Sequence, residues 1–268
     1  MTIPSPTTSR RELFKLAGAI GAAAAFAGTL SACGTTPSQR GGDAAANLKT
    51  PTIKAAISYE LGTNGFDPMT TTAALTVAAN WHTMEGLTEI LPSGKREVYA
   101  ALDKELPKKV DDLTYEVALR DGATFHNGAP VTADDVVYSF ARVLDPANKS
   151  LYAGFLGFLD HVEKKDDKTV TIKLKQPFSL VAERIAVVKI VPKAAATADP
   201  KAFDANPVGT GPYRMIDNSA TSKQVVFEKF DAYSGPHPAK ANSMVWKVMP
   251  DDATRMNALT SKAVAAMD

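Results

Sequence analysis

Four histidines, a single cysteine and four adjacent pairs of aspartates are the groups in this chain with the reactivity to carry chemistry. The histidines are His82, His126, His161 and His237, and no two stand at the spacing that turns a pair toward one metal ion. The pairs Asp111-Asp112, Asp134-Asp135, Asp166-Asp167 and Asp251-Asp252 do not converge either. Neighbouring residues face opposite sides of a strand and diverge widely around a helix, whereas a general acid and base must reach one bond. Their places at turns and helix starts fit the capping of free amides. There is no Gly-x-Ser-x-Gly elbow and no phosphate loop. Gly209-Thr210-Gly211 runs straight into Pro212 and reads as a tight backbone crossing. These patterns predict no catalysis, no metal and no cofactor.

The thiol is different, because its context is specific. Cys33 follows Leu30-Ser31-Ala32, and with no second cysteine it cannot form a disulfide within the chain. Ahead of it lie Arg10, Arg11 and Lys15, then an uncharged Ala- and Gly-rich run from Leu16 to Leu30, short for a bilayer span. This order is similar to a bacterial lipoprotein signal, in which the thiol receives diacylglycerol and the chain is cut just before it. Residues 1–32 are then a signal peptide and Cys33 is the lipid attachment point. Ser9-Arg10-Arg11-Glu12-Leu13-Phe14-Lys15 resembles a twin-arginine export motif with Phe and Leu exchanged; the alternative is an ordinary basic signal start. Residues 33–49 are poor in large apolar side chains and contain Pro37 and Gly41-Gly42, the composition of a flexible tether. A lipidated amino terminus holds a protein at a membrane surface without spanning it, so the expected location is the extracytoplasmic face of the cell membrane.

Lys and Arg number 30 against 29 Asp and Glu over 268 residues. Loss of residues 1–32 removes three cations and one anion, leaving 27 against 28. So balanced a chain has no field to draw nucleic acid. Lys108-Lys109 and Lys164-Lys165 read as solvated faces. An apolar content of 45% suffices for an ordinary globular core.

The patterning predicts an α/β chain. Ile53 to Ser58 is a short apolar strand after Pro51. Ala73 to Met84 reads as a helix with Leu75, Val77 and Trp81 on its apolar positions. Leu113, Tyr115, Val117 and Leu119 alternate with polar residues, as do Val170, Ile172 and Leu174, the period of half-buried strands. Thr132 and Asp135 form a capping box ahead of a stripe of Val136, Val137, Phe140, Val143 and Leu144. Asp145-Pro146 stops that helix. Ser179 to Val187 is predicted helical. Tyr213 to Asp217, Gln224 to Phe230 and Met244 to Val248 are predicted strands, and Asp251 to Met267 a helix to its end.

Several segments resemble the peptide-binding solute receptors of bacterial importers, the oligopeptide/dipeptide-binding family. Residues 115–136, Tyr-Glu-Val-Ala-Leu-Arg-Asp-Gly-Ala-Thr-Phe-His-Asn-Gly-Ala-Pro-Val-Thr-Ala-Asp-Asp-Val, are similar to the family signature. Pro207-Val208-Gly209-Thr210-Gly211-Pro212-Tyr213 resembles a second motif, Phe66-Asp67-Pro68 a turn after the first strand, and Glu85-Gly86-Leu87 the stretch after the next helix. The resemblance implies a periplasmic-binding-protein-like fold of class II type, with a mixed sheet domain from about 48–72 plus 190–268 and a smaller α/β domain, 73–189, inserted in it. It also implies a second large lobe beyond Asp268, so the chain reads as an N-terminal portion. Such a receptor is a monomer that grips peptide or a related small solute through strand-like pairing and hinge closure, then hands it to the permease subunits of an ATP-driven importer. Lys149-Ser150-Leu151-Tyr152-Ala153 is similar to the segment whose tyrosine contacts peptide, with Leu151 in place of proline. Tyr152 therefore offers a ring and hydroxyl to ligand, or fills a core with its hydroxyl satisfied. Thr70, Thr71 and Thr72 lie in the loop that the family points at its cleft, or cap the helix that follows. The alternative to a receptor is a lipoprotein that keeps the lobe as an interaction module.

Overall fold

The computed structural model describes residues 51–62, 65–92, 94–219 and 221–268. The signal-like segment 1–32, Cys33 and the linker 33–49 lie outside the described residues.

The elements in chain order are β1 (Thr52–Ile57), α1 (Ala74–Thr83), β2 (Thr88–Ile90), β3 (Val98–Ala100), β4 (Lys108–Asp111), β5 (Thr114–Ala118), α2 (Ala133–Leu144), β6 (Leu159–Lys164), β7 (Thr169–Leu174), α3 (Val181–Ile185), α4 (Lys193–Ala198), α5 (Pro200–Ala205), β8 (Tyr213–Asp217), β9 (Gln224–Lys229), β10 (Ser243–Val248), α6 (Asp252–Thr260) and β11 (Ala266–Met267). The larger sheet has the order β11-β1-β10-β9-β8, with β1 parallel to both its neighbours and β10, β9 and β8 antiparallel in succession. A second sheet, β4-β5-β7-β6, is antiparallel throughout, and β2 pairs with β3.

Each large sheet has its own core. Val136, Phe140 and Val143 of α2 pack on Val117, Val170 and Ile172 of the four-stranded sheet, so the apolar stripe faces inward as its spacing requires. Ile57, Tyr213, Phe227 and Trp246 make the core of the five-stranded sheet, with Ala79 of α1 set against them. The start of α2 follows the capping logic. One carboxylate oxygen of Asp135 accepts both the Thr132 amide at 3.0 Å and the Thr132 hydroxyl at 2.7 Å. Its other oxygen accepts the Lys193 amide at 2.9 Å, which ties α2 to the start of α4. The remaining aspartate pairs are likewise spent at turns and caps: Asp111 on Leu113, Asp166 on Lys168 and Asp251 on Thr254.

Two helices depart from their predicted form. The buried side of α1 is Thr76, Ala79, Asn80 and Thr83, not the Leu75, Val77 and Trp81 positions, and Trp81 is 54% exposed. These small and polar residues go inward because their partners are backbone groups. Asn80 donates to the Phe66 carbonyl, Thr83 to that of Ala79, and the Thr76 hydroxyl accepts the Gly62 amide. The last helix also ends early. Ser261 closes α6, Lys262 turns the chain at φ 59°, and Ala266–Met267 return as β11 beside β1. The Asp268 carboxylate then accepts the Ser58 amide at 3.0 Å and hydroxyl at 2.6 Å. Likewise α3 covers only Val181–Ile185 of the longer helix expected there.

Candidate functional site

Two of the glycine motifs place backbone against backbone, and the site is built on what they bring together. A Cβ on Gly209 would collide with the Thr83 carbonyl oxygen, and one on Gly211 would sit 2.6 Å from the His82 oxygen. Only glycine lets this strand cross the end of α1, where the Gly211 amide donates to the Thr83 carbonyl at 3.0 Å. His126 locks the crossing from the other side. Its Nδ1 accepts the Gly209 amide at 3.4 Å and its Nε2–H donates to the Gly211 carbonyl at 3.0 Å. The ring is therefore neutral with its proton on Nε2, and burial pushes its pKa down to about 4.

Gly86 does the same one turn after α1. A Cβ there would meet the Thr88 and Val188 carbonyl oxygens at 2.8 and 2.9 Å. The close approach lets the Ile190 amide reach the Glu85 carbonyl and sets Lys189 beside Glu89. Lys189 Nζ and Glu89 Oε1 form an ion pair whose side chains are 8% and 12% exposed, and the same oxygen accepts the Gly86 amide at 2.7 Å. Behind it, Glu85 accepts the Tyr233 hydroxyl at 2.8 Å and Arg120 Nη2 at 3.1 Å. Burial raises the Glu85 pKa and the Arg120 charge opposes the rise.

In front of the ion pair opens a pocket of about 200 Å³, lined by Pro68, Val77, Asn80, Trp81, Glu89, Ile90, Tyr152, Ala186, Val187 and Lys189. It draws on the loop after β1, α1, β2, the segment after α3 and the turn that carries Tyr152. An apolar concavity with a few convergent polar groups is the form of a small-molecule site. Nothing in it pairs a nucleophile with a base, and the described residues contain no group of three or more His, Cys, Asp or Glu that could hold a metal.

The structure brings Tyr152 and Thr71 together: the tyrosine hydroxyl donates to the Thr71 carbonyl at 2.8 Å, and the nearby Ser150 hydroxyl reaches the Met69 carbonyl at 3.2 Å. Tyr152 is half-buried and lines the pocket. Thr71 is buried, and its hydroxyl accepts the Ala73 amide at 3.4 Å. Thr70 and Thr72 are exposed and lie outside the pocket lining; the Thr70 hydroxyl turns back to the Asp67 carbonyl at 3.2 Å. Asn80, Glu89 and Lys189 carry no sequence signal, and the sequence marks Trp81 only as an apolar helix position. Glu89 and Lys189 are a hundred positions apart, with no local pattern joining them.

This arrangement of sheets is that of periplasmic-binding-protein-like structures. HbpA2 from Haemophilus parasuis superposes at a TM-score of 0.72 with 26% identity, over 81% of this chain and 47% of that one. Listeria monocytogenes OppA bound to peptide gives 0.72 at 23% identity, over 80% of this chain and 45% of that one, a likeness of fold. Residues 97–268 match the model of bacterial extracellular solute-binding proteins, family 5, middle region, and the chain belongs to that family. The glutathione-binding protein GsiB of Pectobacterium atrosepticum is 35% identical over 147 residues, 54% of this chain and 28% of its own length. The chain thus spans less than a third of that relative and less than half of the two solved structures.

Proposed function

We propose that this chain is the solute-gripping N-terminal portion of an exported lipoprotein receptor, which captures peptides or related small solutes for an ATP-driven importer. The observation that carries the reading is the pocket between Trp81 and Tyr152, where apolar walls meet a self-neutralised ion pair and no reactive constellation. Such a surface suits the holding of a small solute. Family membership supports a receptor, and the peptide-bound and glutathione-binding relatives favour peptide-like cargo.

The division into a main sheet domain (48–72 plus 190–268) and an inserted unit (73–189) draws support from two separate sheets, one from residues 52–57 and 213–267 and the other from residues 108–174, while α1, within 73–189, packs on the first of them. The chain works as a monomer, with no cofactor. The anchor rests on the Leu30-Ser31-Ala32-Cys33 sequence. Cys33→Ala blocks acylation and cutting, checked by radiolabelled palmitate; label entering the variant at wild-type level contradicts the anchor. The receptor reading is tested by calorimetric titration of the purified chain with a mixture of short peptides. Saturable heat is expected, and a folded sample that gives none overturns the reading.

A further inference from the structure

Trp81 and Ile90 belong to two cavities at once. One is the pocket already described; the other is an open cavity of about 350 Å³ completed by Leu91, Pro92 and Arg96. The two shared side chains are 54% and 38% exposed, so a solute can lie across them. The second cavity is made by the β2–β3 hairpin. Its pairing of Ile90 with Val98 continues one step as the Leu91 amide donates to the Glu97 carbonyl at 3.0 Å, which closes the turn and brings Arg96 back near Leu91. Arg96 takes φ 55°, in the left-handed region that residues with a Cβ seldom occupy.

The two cavities differ in charge. In the outer one, four of the five lining residues are apolar and Arg96 is the one charged group. Arg96 is exposed, and its guanidinium has no ion pair or hydrogen bond among the described residues. In the inner pocket the charged groups, Glu89 and Lys189, balance each other. Lys189 Nζ keeps two further N–H groups, and no described residue donates to Glu89 Oε2, so the pair sets donors beside an acceptor. A lone charge brought there is drawn to one partner and repelled by the other. A neutral amide, which carries a donor and an acceptor, meets no such conflict.

We infer that Arg96 reads a carboxylate on the solute: the neutral part fills the inner pocket, the chain runs out over Trp81 and Ile90, and the carboxylate pairs with the Arg96 guanidinium. The planar fork of arginine matches the two oxygens of a carboxylate. The inference rests on the solute-receptor reading and narrows its cargo to peptides or related solutes that carry this group.

The test is calorimetry of the full chain with three mixtures of short peptides. The first has free carboxyl ends and no Asp or Glu, the second is the same mixture amidated, and the third is amidated with Glu at the last position. The first mixture is expected to bind about fivefold more tightly than the second, the scale of an exposed ion pair. Arg96→Gln removes that gap. Lys95→Gln, which takes the same charge from a neighbour outside the cavity lining, leaves it. A preference for either carboxylate mixture that only Arg96→Gln abolishes supports the inference, and the mixture that shows it tells whether chain end or side chain supplies the group. Equal affinity for all three, a preference that Arg96→Gln retains, or one that Lys95→Gln also abolishes overturns it and leaves the receptor standing. A folded native chain that gives no heat with any mixture overturns the receptor reading, and the inference with it.

Discussion

The crossing at Gly209-Thr210-Gly211 and the pocket at Trp81 lie at the two faces of the same helix end, yet they are specified in opposite ways. At the crossing, Gly209, Gly211 and His126 all belong to sequence motifs: the glycines press backbone on backbone against Thr83, and the His126 ring clamps both. At the pocket the lining is drawn from segments far apart in sequence, and of it only Pro68 and Tyr152 came from motifs. The difference teaches that the long motifs of this chain encode its joints. The pocket is assembled on those joints largely by residues with no local signature.

If that division is right, joint and pocket respond differently to mutation. The largest effect is expected at Lys189→Met, which leaves Glu89 buried without its counter-charge and costs about 3–5 kcal/mol in denaturant unfolding. Adding Glu89→Leu to it should restore much of that loss; no recovery would mean that the pair also fastens the fold. Gly209→Ala comes next, at about 3 kcal/mol, because its new methyl group meets a backbone oxygen that no rotamer change can move. An unshifted Tm for this variant would break the comparison, since the crossing would then tolerate a side chain.

The His126 clamp adds a pH dependence. Unfolded, the imidazole takes up a proton near its ordinary pKa of 6.5, while the folded ring stays neutral until about pH 4. The clamp's contribution is complete above about pH 6.5 and falls as pH drops toward 4, by about 3 kcal/mol at most. Urea midpoints measured across that range should slope, and His126→Gln should flatten the slope. The smallest effect on stability, below about 0.5 kcal/mol, is expected for Trp81→Ala, because the ring is already half in solvent. That same change should weaken solute binding by about tenfold or more, which sharpens the contrast between a joint and a contact surface.

The legible parts of the fold were those fixed by near neighbours. Thr132 and Asp135 announce α2, the Val136, Phe140 and Val143 stripe gives its buried face, and alternation at Val170, Ile172 and Leu174 gives β7. What sequence could not supply depends on distant pairing. Ala263 to Met267 has helical composition, yet parallel pairing with β1 and the Asp268–Ser58 bonds draw it into a sheet. Trp81 has the spacing of a core residue, yet Asn80 takes the inward side by bonding to the Phe66 carbonyl, which only the folded chain brings near. Of the site, Tyr152 and its neighbour loop were readable through the family motifs. Glu89 and Lys189 were not, because their pairing exists only once Gly86 has let residues 186–190 approach, nor was Asn80, whose partner is the distant Phe66 carbonyl.

The proposed solute site is the pocket between α1 and Tyr152. Calorimetry of the native chain and of Trp81→Ala against the same short peptides tests it most directly. The account predicts saturable binding to the native chain and a loss of about tenfold or more in the variant at unchanged Tm. Equal affinity in both, with both folded, would place the solute elsewhere and contradict it.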